Sequence, residues 1–379
     1  MIFTQFDASD IVTGRTQPVS TGIWSDGNTA WGSGSAALFY TSSAQTAISS
    51  STFEPLNGMY YTNVYDGPTG SIDSEIYYSL TYGNRFGSGS SDFDTGSAAG
   101  SLIFPTKAIY NQYRNLLLTP GDPQFTFATS SANAIAYIGS DEIYVLSFTG
   151  AKMKDQLDPG QFEMTIGGGV GGSIVGGTIS IIDDSRYNSN PTSLQTGGKM
   201  YNLIRGTIAS GSYGINEYQG IGVMYPSLGM IVLNAPVLHS LIGKVEGKSL
   251  KYVAPEWTGS FSRLQNTLFT GIRSGSAVAP MKARVTEFVP ARHFFVRVKN
   301  QEYNYSNNPT FVISANDNPA NQQDVGKIRF TDFYTDPKVY ITTVGLYNDT
   351  NDLVAVAKLS QPLLKDFTNE CLVKIKIDV

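Results

Sequence analysis

The chain has 379 residues, enough to bury a large core and, at a usual domain size of roughly 100–200 residues, to form two or three domains. Its net charge of −5, from 26 Lys and Arg against 31 Asp and Glu, argues against a nucleic acid or an anionic membrane as the main partner, because both need clustered positive charge. Only 15% of residues are charged while Gly (39), Tyr (22) and Phe (20) abound, so Ser, Thr, Asn and Tyr must cover much of the surface, a composition suited to extended protein–protein contacts.

The opening stretch MIFTQFDASDIVTGR has no basic segment and no long apolar run, so no signal peptide is expected. No run of about 20 apolar residues offers a membrane span, and the reading is a soluble chain made in a reducing compartment. Residues 1–103 are expected to form an extended, Gly/Ser/Tyr-rich assembly region. GSAALFYTSSAQ and GMYYTNVYDG look like short strands, and Gly83–Gly100 like a flexible loop. The spacing predicts one amphipathic helix in PTKAIYNQYRNLLLTPGDP. Thr106 can cap it, Ile109, Tyr113, Leu116 and Leu117 share its apolar face, and Pro120-Gly121 ends it.

From Phe125 the pattern changes to strands: QFTFATS, NAIAYIGS, DEIYVLSFTG, QFEMTIGG, GTISIID, YQGIGVMYPSLGMIVLN and SLKYVAP. Turn signals every 8–12 residues or so favour a sandwich or barrel over βαβ units. Residues 104–280 thus form a β-rich central domain with one helix. Near Pro280 glycine thins and charge rises, and 281–379 reads as a separate antiparallel β domain containing KIRFTDF, the hairpin Val339–Leu359 and CLVKIKIDV as strands. The fold class is mainly β, with antiparallel sandwich-type domains.

Candidate chemistry is sparse. GGGVGG (Gly167–Gly172) satisfies G-x-G-x-x-G, but a β-branched strand pattern follows where a dinucleotide site needs a helix N-terminus. His239 and His293 each stand alone among apolar residues, and no nucleophile elbow accompanies them. Asp141 with Glu142, and Asp183 with Asp184, are the carboxylate pairs a glycosidase could use, though neither lies in a motif. NDTND (Asn348–Asp352) is rich in oxygens but lacks the glycine and distal glutamate of an EF-hand loop, so it reads as a hairpin turn. Cys371, the only cysteine, can form neither an internal disulfide nor a thiolate metal cluster and reads as a small buried hydrophobe. No catalytic group, cofactor or metal is expected. Tyr60, Tyr61, Tyr65, Tyr77, Tyr78 and Tyr82 could form a stacking surface, but without interleaved basic residues a protein interface is the better reading.

The stretch ITTVGLYNDTNDLVAVAKLSQPL resembles a strand–turn–strand found in tail proteins of contractile-tailed bacteriophages, the matching residues being Ile341, Val344, Gly345, Leu346, Tyr347, Asn348, Leu353, Ala355, Val356 and Ala357. With EYNYSNNPTF, TKAIYNQYRNLLL and YGINEYQGIGVMYPSLGMIVLN, the wider chain is similar to virion structural proteins of T4-like myoviruses, particularly those of marine cyanobacteria. The resemblance implies a structural subunit of the virion, with the baseplate favoured, assembled in the host cytoplasm. Its partners would be other virion proteins in homo- and hetero-oligomeric contact, without nucleic acid or membrane insertion. The alternative it leaves open is a tail fibre, receptor-binding or polysaccharide-degrading protein. The interface residues expected are Trp24, Trp31, Tyr60, Tyr61, Ile341, Leu346, Tyr347 and Leu353.

Overall fold

A computed structural model describes residues 5–15, 19–22, 41, 60–65, 74–90, 104–132, 134–168, 170–171, 177–188, 192–193, 198–210, 214–245, 248–252, 261–275, 280–315, 317 and 322–378. Strands β1 (Ile11–Arg15), β2 (Val19–Gly22), β3 (Thr62–Tyr65) and β4 (Ile76–Asn84) precede helix α1 (Pro105–Leu117). The hairpin β5 (Phe125–Ser131) and β6 (Ala134–Ser140) leads into β7 (Glu142–Phe148) and a single turn, α2 (Gly150–Met153). Then come β8 (Glu163–Gly167), β9 (Thr178–Asp183), β10 (Lys199–Arg205), β11 (Gly222–Tyr225) and β12 (Met230–Asn234). Helices α3 (Ala235–Ile242) and α4 (Phe261–Gly275) separate these from β13 (Arg284–Glu287) and β14 (Pro290–Val298). The short α5 (Asp332–Thr335) precedes β15 (Val339–Tyr347), β16 (Leu353–Lys365) and β17 (Cys371–Asp378). The fold is mainly β and its ladders are antiparallel, as expected. It has more than the one helix expected, however, because α3 and α4 cover the central sheet.

The chain divides into two units, Pro18–Glu287 and a smaller one that joins Met1–Gln17 to Phe288–Val379. This differs from the division read in the sequence. The described part of the first 103 residues does not stand apart: β1 pairs with β14 in the smaller unit, while β3 and β4 belong to the main sheet of the larger. Residues 281–287 also fall in the larger unit, where β13 pairs with β2.

The main sheet of the larger unit runs Met281–Lys282, β8, β9, β10, β11, β12, β7, β4, β3, with Thr192–Ser193 added beside β10. Strand alternation feeds two faces. In β7, Ile143 and Val145 join Tyr110 and Leu117 of α1, whereas Tyr144, Leu146 and Phe148 join Leu264, Leu268, Phe269 and Ile272 of α4. A sheet covered on both faces needs apolar residues at successive positions, which is why EIYVLSF reads as an unbroken run. Helix α4 touches both β8 and β4, with five strands between them in the sheet order. On a flat sheet those two strands would lie about 29 Å apart, well beyond a helix diameter of about 10 Å, so the sheet curls around α4. Two glycines permit the close packing. A Cβ on Gly83 would lie 3.0 Å from the Tyr110 amide nitrogen of α1, and one on Gly271 of α4 would lie 3.2 Å from the Gly167 carbonyl oxygen.

Several local readings need correction. Gly83 and Asn84 close β4 instead of opening a loop, and Asn84 Oδ1 accepts from the amides of Phe86, Gly87 and Ser88 to form a tight turn. Residues 91–100 lie outside the described residues. Thr106 does not cap α1; Pro105 takes the first helical position, and the Thr106 hydroxyl lies 2.9 Å from that of Ser90 in the interior. Leu116 is exposed, and fully buried Tyr110 holds the helix to the sheet instead.

In the smaller unit, β1, β14 and β17 form one sheet, and the hairpin β15–β16 forms a second layer. Leu346, Val373 and Ile375 are buried between them, flanked by Phe294, Val296, Val344, Ala355, Ala357 and Leu363. Phe6 packs on Phe294, 5.6 Å between ring centroids, and Asp10 pairs with Arg297 at 3.1 Å, fixing the N-terminal segment to this unit. Cys371 is buried at the start of β17. Between β14 and β15, the described residues of 299–338 contain no strand. KIRFTDF contributes one bridge, Ile328 to Val312, and then turns into α5. Its apolar side chains reach an aromatic cluster rather than a sheet face, which explains why alternation misled there.

Candidate interaction surface

The carboxylates proposed for chemistry serve the fold. Asp183 and Asp184 are 1% and 0% exposed. Asp183 accepts from the Gly160 amide at 2.8 Å and the Ser185 amide at 3.2 Å, and burial pushes its carboxyl above the usual carboxylate range. Asp184 accepts from the Asn202 amide and side chain, both at 2.9 Å, and from the Tyr218 hydroxyl at 3.0 Å. Together they close turns beside the main sheet. Asp141 pairs with Arg85 at 3.2 Å. Burial lifts the Glu142 carboxyl to about 7, against the opposing pull of the Lys251 ammonium.

His239 Nδ1 lies 3.1 Å from the Ser249 hydroxyl at the end of α3, and His293 sits on β14 beside Gly14. They belong to different units. Gly167 ends β8, and Val170–Gly171 pairs with Gly243–Val245 rather than opening a helix. The pocket lined by Gln156, Tyr201, Ser227 and their neighbours, about 330 Å³, has Lys199 as its one charged wall residue among the described residues. No group of three or more His, Cys, Asp or Glu side chains is placed to hold a metal among the described residues.

The tyrosine stretches separate. Tyr77, Tyr78 and Tyr82 are core residues rather than a stacking surface, because β4 lies inside the sheet. Tyr60 and Tyr61 remain exposed where the chain enters β3, and the Tyr60 carbonyl accepts from Gln265 of α4 at 3.0 Å. Trp24 and Trp31 lie outside the described residues.

The hairpin of the smaller unit is built as its sequence suggests. Asn348 Oδ1 accepts from the Asp352 amide at 2.7 Å and the Thr350 amide at 3.1 Å, while Asn351 adopts φ 65°. That closes NDTND as a turn of Asn and Asp residues. Asp352 accepts from the Thr350 hydroxyl, and this bond lowers its carboxyl from the ordinary value. Pairing skips so that Thr342 faces Leu359–Pro362, and this bulge accommodates Pro362 within β16.

One face of the hairpin turns inward through Leu346, with Ile341 half-buried; the other is open. Val354 is 67% and Val356 59% exposed, while their neighbours Ala355 and Ala357 face the core. Tyr340, Tyr347 and Leu353 are exposed as well. A Cβ on Gly345 would lie 3.1 Å from the Tyr347 ring and 3.2 Å from Leu353, so glycine there lets both side chains fold over the strand. Neither strand has a second ladder partner among the described residues. Of the expected interface residues, Tyr60, Tyr61, Tyr347 and Leu353 are thus exposed, whereas Leu346 holds the layers together.

One residue that no sequence pattern marks matters here. Lys365 is 0% exposed, and its ammonium donates to the Asn300 carbonyl (2.9 Å), Asn304 Oδ1 (2.8 Å) and the Asp366 carbonyl (2.7 Å). All three protons are used, so the end of β16 is pinned to residues 300–304. The polar signature of a lysine in a strand gave no warning, since two of its partners lie more than sixty positions away in sequence.

Comparison with protein-family models, curated proteins and solved structures finds no match for this chain. No described helix is long and apolar enough to cross a membrane.

Proposed function

We propose that this chain is a structural subunit of a phage virion, a tail baseplate component that docks neighbouring subunits through the outer face and open edges of β15–β16. The observation that carries the reading is the two-sided hairpin, which buries Leu346, Ala355 and Ala357 while presenting Val354 and Val356 to solvent. Its sequence is also the part that resembles contractile-tail proteins. A strand edge supplies main-chain hydrogen bonds for affinity, and alternate side chains select the partner. Chemistry is not required of such a surface, and the candidate carboxylates Asp183 and Asp184 are occupied by backbone and side-chain donors.

The test separates docking from folding. A chain carrying Val354→Asp and Val356→Asp should melt like the wild type when free, yet be missing from particles assembled in the host. Incorporation of that chain at the wild-type level would sink the reading, and a cryo-EM map of the particle would locate the wild-type contact.

A further inference from the structure

Residues 299–338 form a long connection with no strand among the described residues, and connections of that length inside a compact domain commonly carry function. This one is held in shape. Lys365 grips Asn300 and Asn304, Arg329 Nε donates to the Pro309 carbonyl at 2.9 Å, and Phe311 stacks on Phe333 with centroids 5.0 Å apart. Tyr303, between the two gripped asparagines, adopts φ 53°, a region costly for an aromatic residue and kept only where surroundings enforce it.

The same scaffold presents rings to solvent. Tyr305 packs edge-on against Phe311 at 5.7 Å and its hydroxyl donates to the Gly326 carbonyl at 3.2 Å, yet the residue is 52% exposed. Phe330 packs edge-on against Phe333 at 5.8 Å and is 54% exposed, and Tyr334 is exposed nearby in sequence.

We propose that the surface built by residues 299–315 and 322–338 binds an uncharged saccharide, with Tyr305 and Phe330 as its stacking faces. The argument rests on which groups are present. Between 300 and 310 the polar side chains are amides and hydroxyls (Gln301, Ser306, Asn307 and Thr310 among them), with Glu302 the one charge. Amides offer a donor and an acceptor in one plane, which suits neighbouring sugar hydroxyls. Ring faces suit the C–H faces of a pyranose, the electron-rich face meeting polarised C–H groups.

Three of the four cations in this stretch are paired, Lys327 with Asp324 at 2.6 Å, Arg329 with Asp317, and Lys338 with Asp336 at 3.0 Å, which leaves exposed Lys299 at its start. An anionic ligand or a nucleic-acid strand would need a cluster of cations without such partners, which a single lysine does not supply. An apolar protein surface would be expected to meet aliphatic groups, as on the hairpin, but here the exposed large apolar side chains are aromatic apart from Val325. This inference does not depend on the hairpin docking subunits.

The full-length protein would be examined by saturation-transfer difference NMR with maltohexaose, cellohexaose and chitohexaose at millimolar concentration. At least one should receive saturation at its ring C–H protons. Tyr305→Ala should weaken that binding about tenfold, the loss of one ring contact, and Tyr305→Phe, which keeps the ring, should preserve it. Phe330→Ala guards against a loosened Tyr305→Ala chain and should weaken binding similarly while leaving the melting temperature near that of the wild type. No saturation of any of the three sugars would overturn the proposal. Unchanged binding by both alanine variants would overturn it equally.

Discussion

IYYSLTY at residues 76–82 and EYNYSNN at residues 302–308 are both dense in tyrosine, yet they lie in opposite environments. Tyr78 and Tyr82 are fully buried, 5.7 Å from Phe148 and 5.3 Å from Tyr144 between ring centroids, whereas Tyr303 and Tyr305 are about half exposed. Flanking residues make the difference. Ile76 and Leu80 give the first stretch an apolar strand that completes a sheet, while Glu302, Asn304, Ser306 and Asn307 keep the second wet. Tyrosine serves both, since its ring buries large area and its hydroxyl tolerates water. Tyrosine count alone therefore does not mark an interface; the company it keeps does.

The largest effect should come from charging the seam of the smaller unit. Leu346→Asp places a carboxylate against Val373 and Ile375, at a cost of several kcal/mol, and should unfold that unit. A near-UV circular dichroism spectrum and melting curve equal to the wild type would show that Leu346 is not the contact holding the layers. Next, the two tyrosine stretches can be set against each other directly. Tyr78→Ala should cost about 3–5 kcal/mol in denaturant titration, as for other large buried side chains. Tyr305→Ala should stay within about 1 kcal/mol. Similar losses at both positions would erase the distinction between them.

The larger unit also differs from the smaller in what pH does to it. Glu142 is buried at the start of β7, and its carboxyl rises from an ordinary 4.5 to about 7 because burial disfavours the anion. A raised folded-state value favours the protonated fold. Its contribution is full below about 4.5, declines as pH rises and is lost above about 7, a change of up to about 3 kcal/mol. Asp183 shifts in the same direction, so Glu142→Gln should flatten part of the slope rather than all of it. Equal slopes in the two proteins across that range would remove Glu142 as the cause.

Much of this architecture was legible. QFEMTIGG, GTISIID and the hairpin at 339–359 declared themselves by alternation or by turn residues, because local pattern and tertiary place agree there, although the hairpin's second strand runs on to Lys365. Helix α4 is carried by Leu264, Leu268, Phe269 and Ile272 at helical spacing, but Ser262, Thr267, Thr270 and Gly271 dilute that stripe in the sequence. KMYNLIR, which forms β10, is flanked by Gly and Ser residues that mask its strand pattern. The surface was harder still. Nothing local distinguishes Val354 from Ala355 as outward or inward; β17 decides it by packing against one side of the hairpin.

The smallest effect on stability, and the sharpest test of the hairpin as a surface, lies at Gly345. The backbone there needs no special conformation, so the residue matters through the space it leaves for Tyr347 and Leu353. Gly345→Val would gain intrinsic strand preference and lose room beneath those two side chains, terms of opposite sign that should leave stability within about 1 kcal/mol. Tyr347 and Leu353 would nonetheless have to swing off the strand, altering the outer face next to Val356, the residue paired with Gly345. The variant should therefore melt close to the wild type but enter particles poorly. Normal incorporation would mean that the shape of this face is not what a neighbour reads, and would confine any docking to the open strand edges, where main-chain groups are unaffected by the substitution.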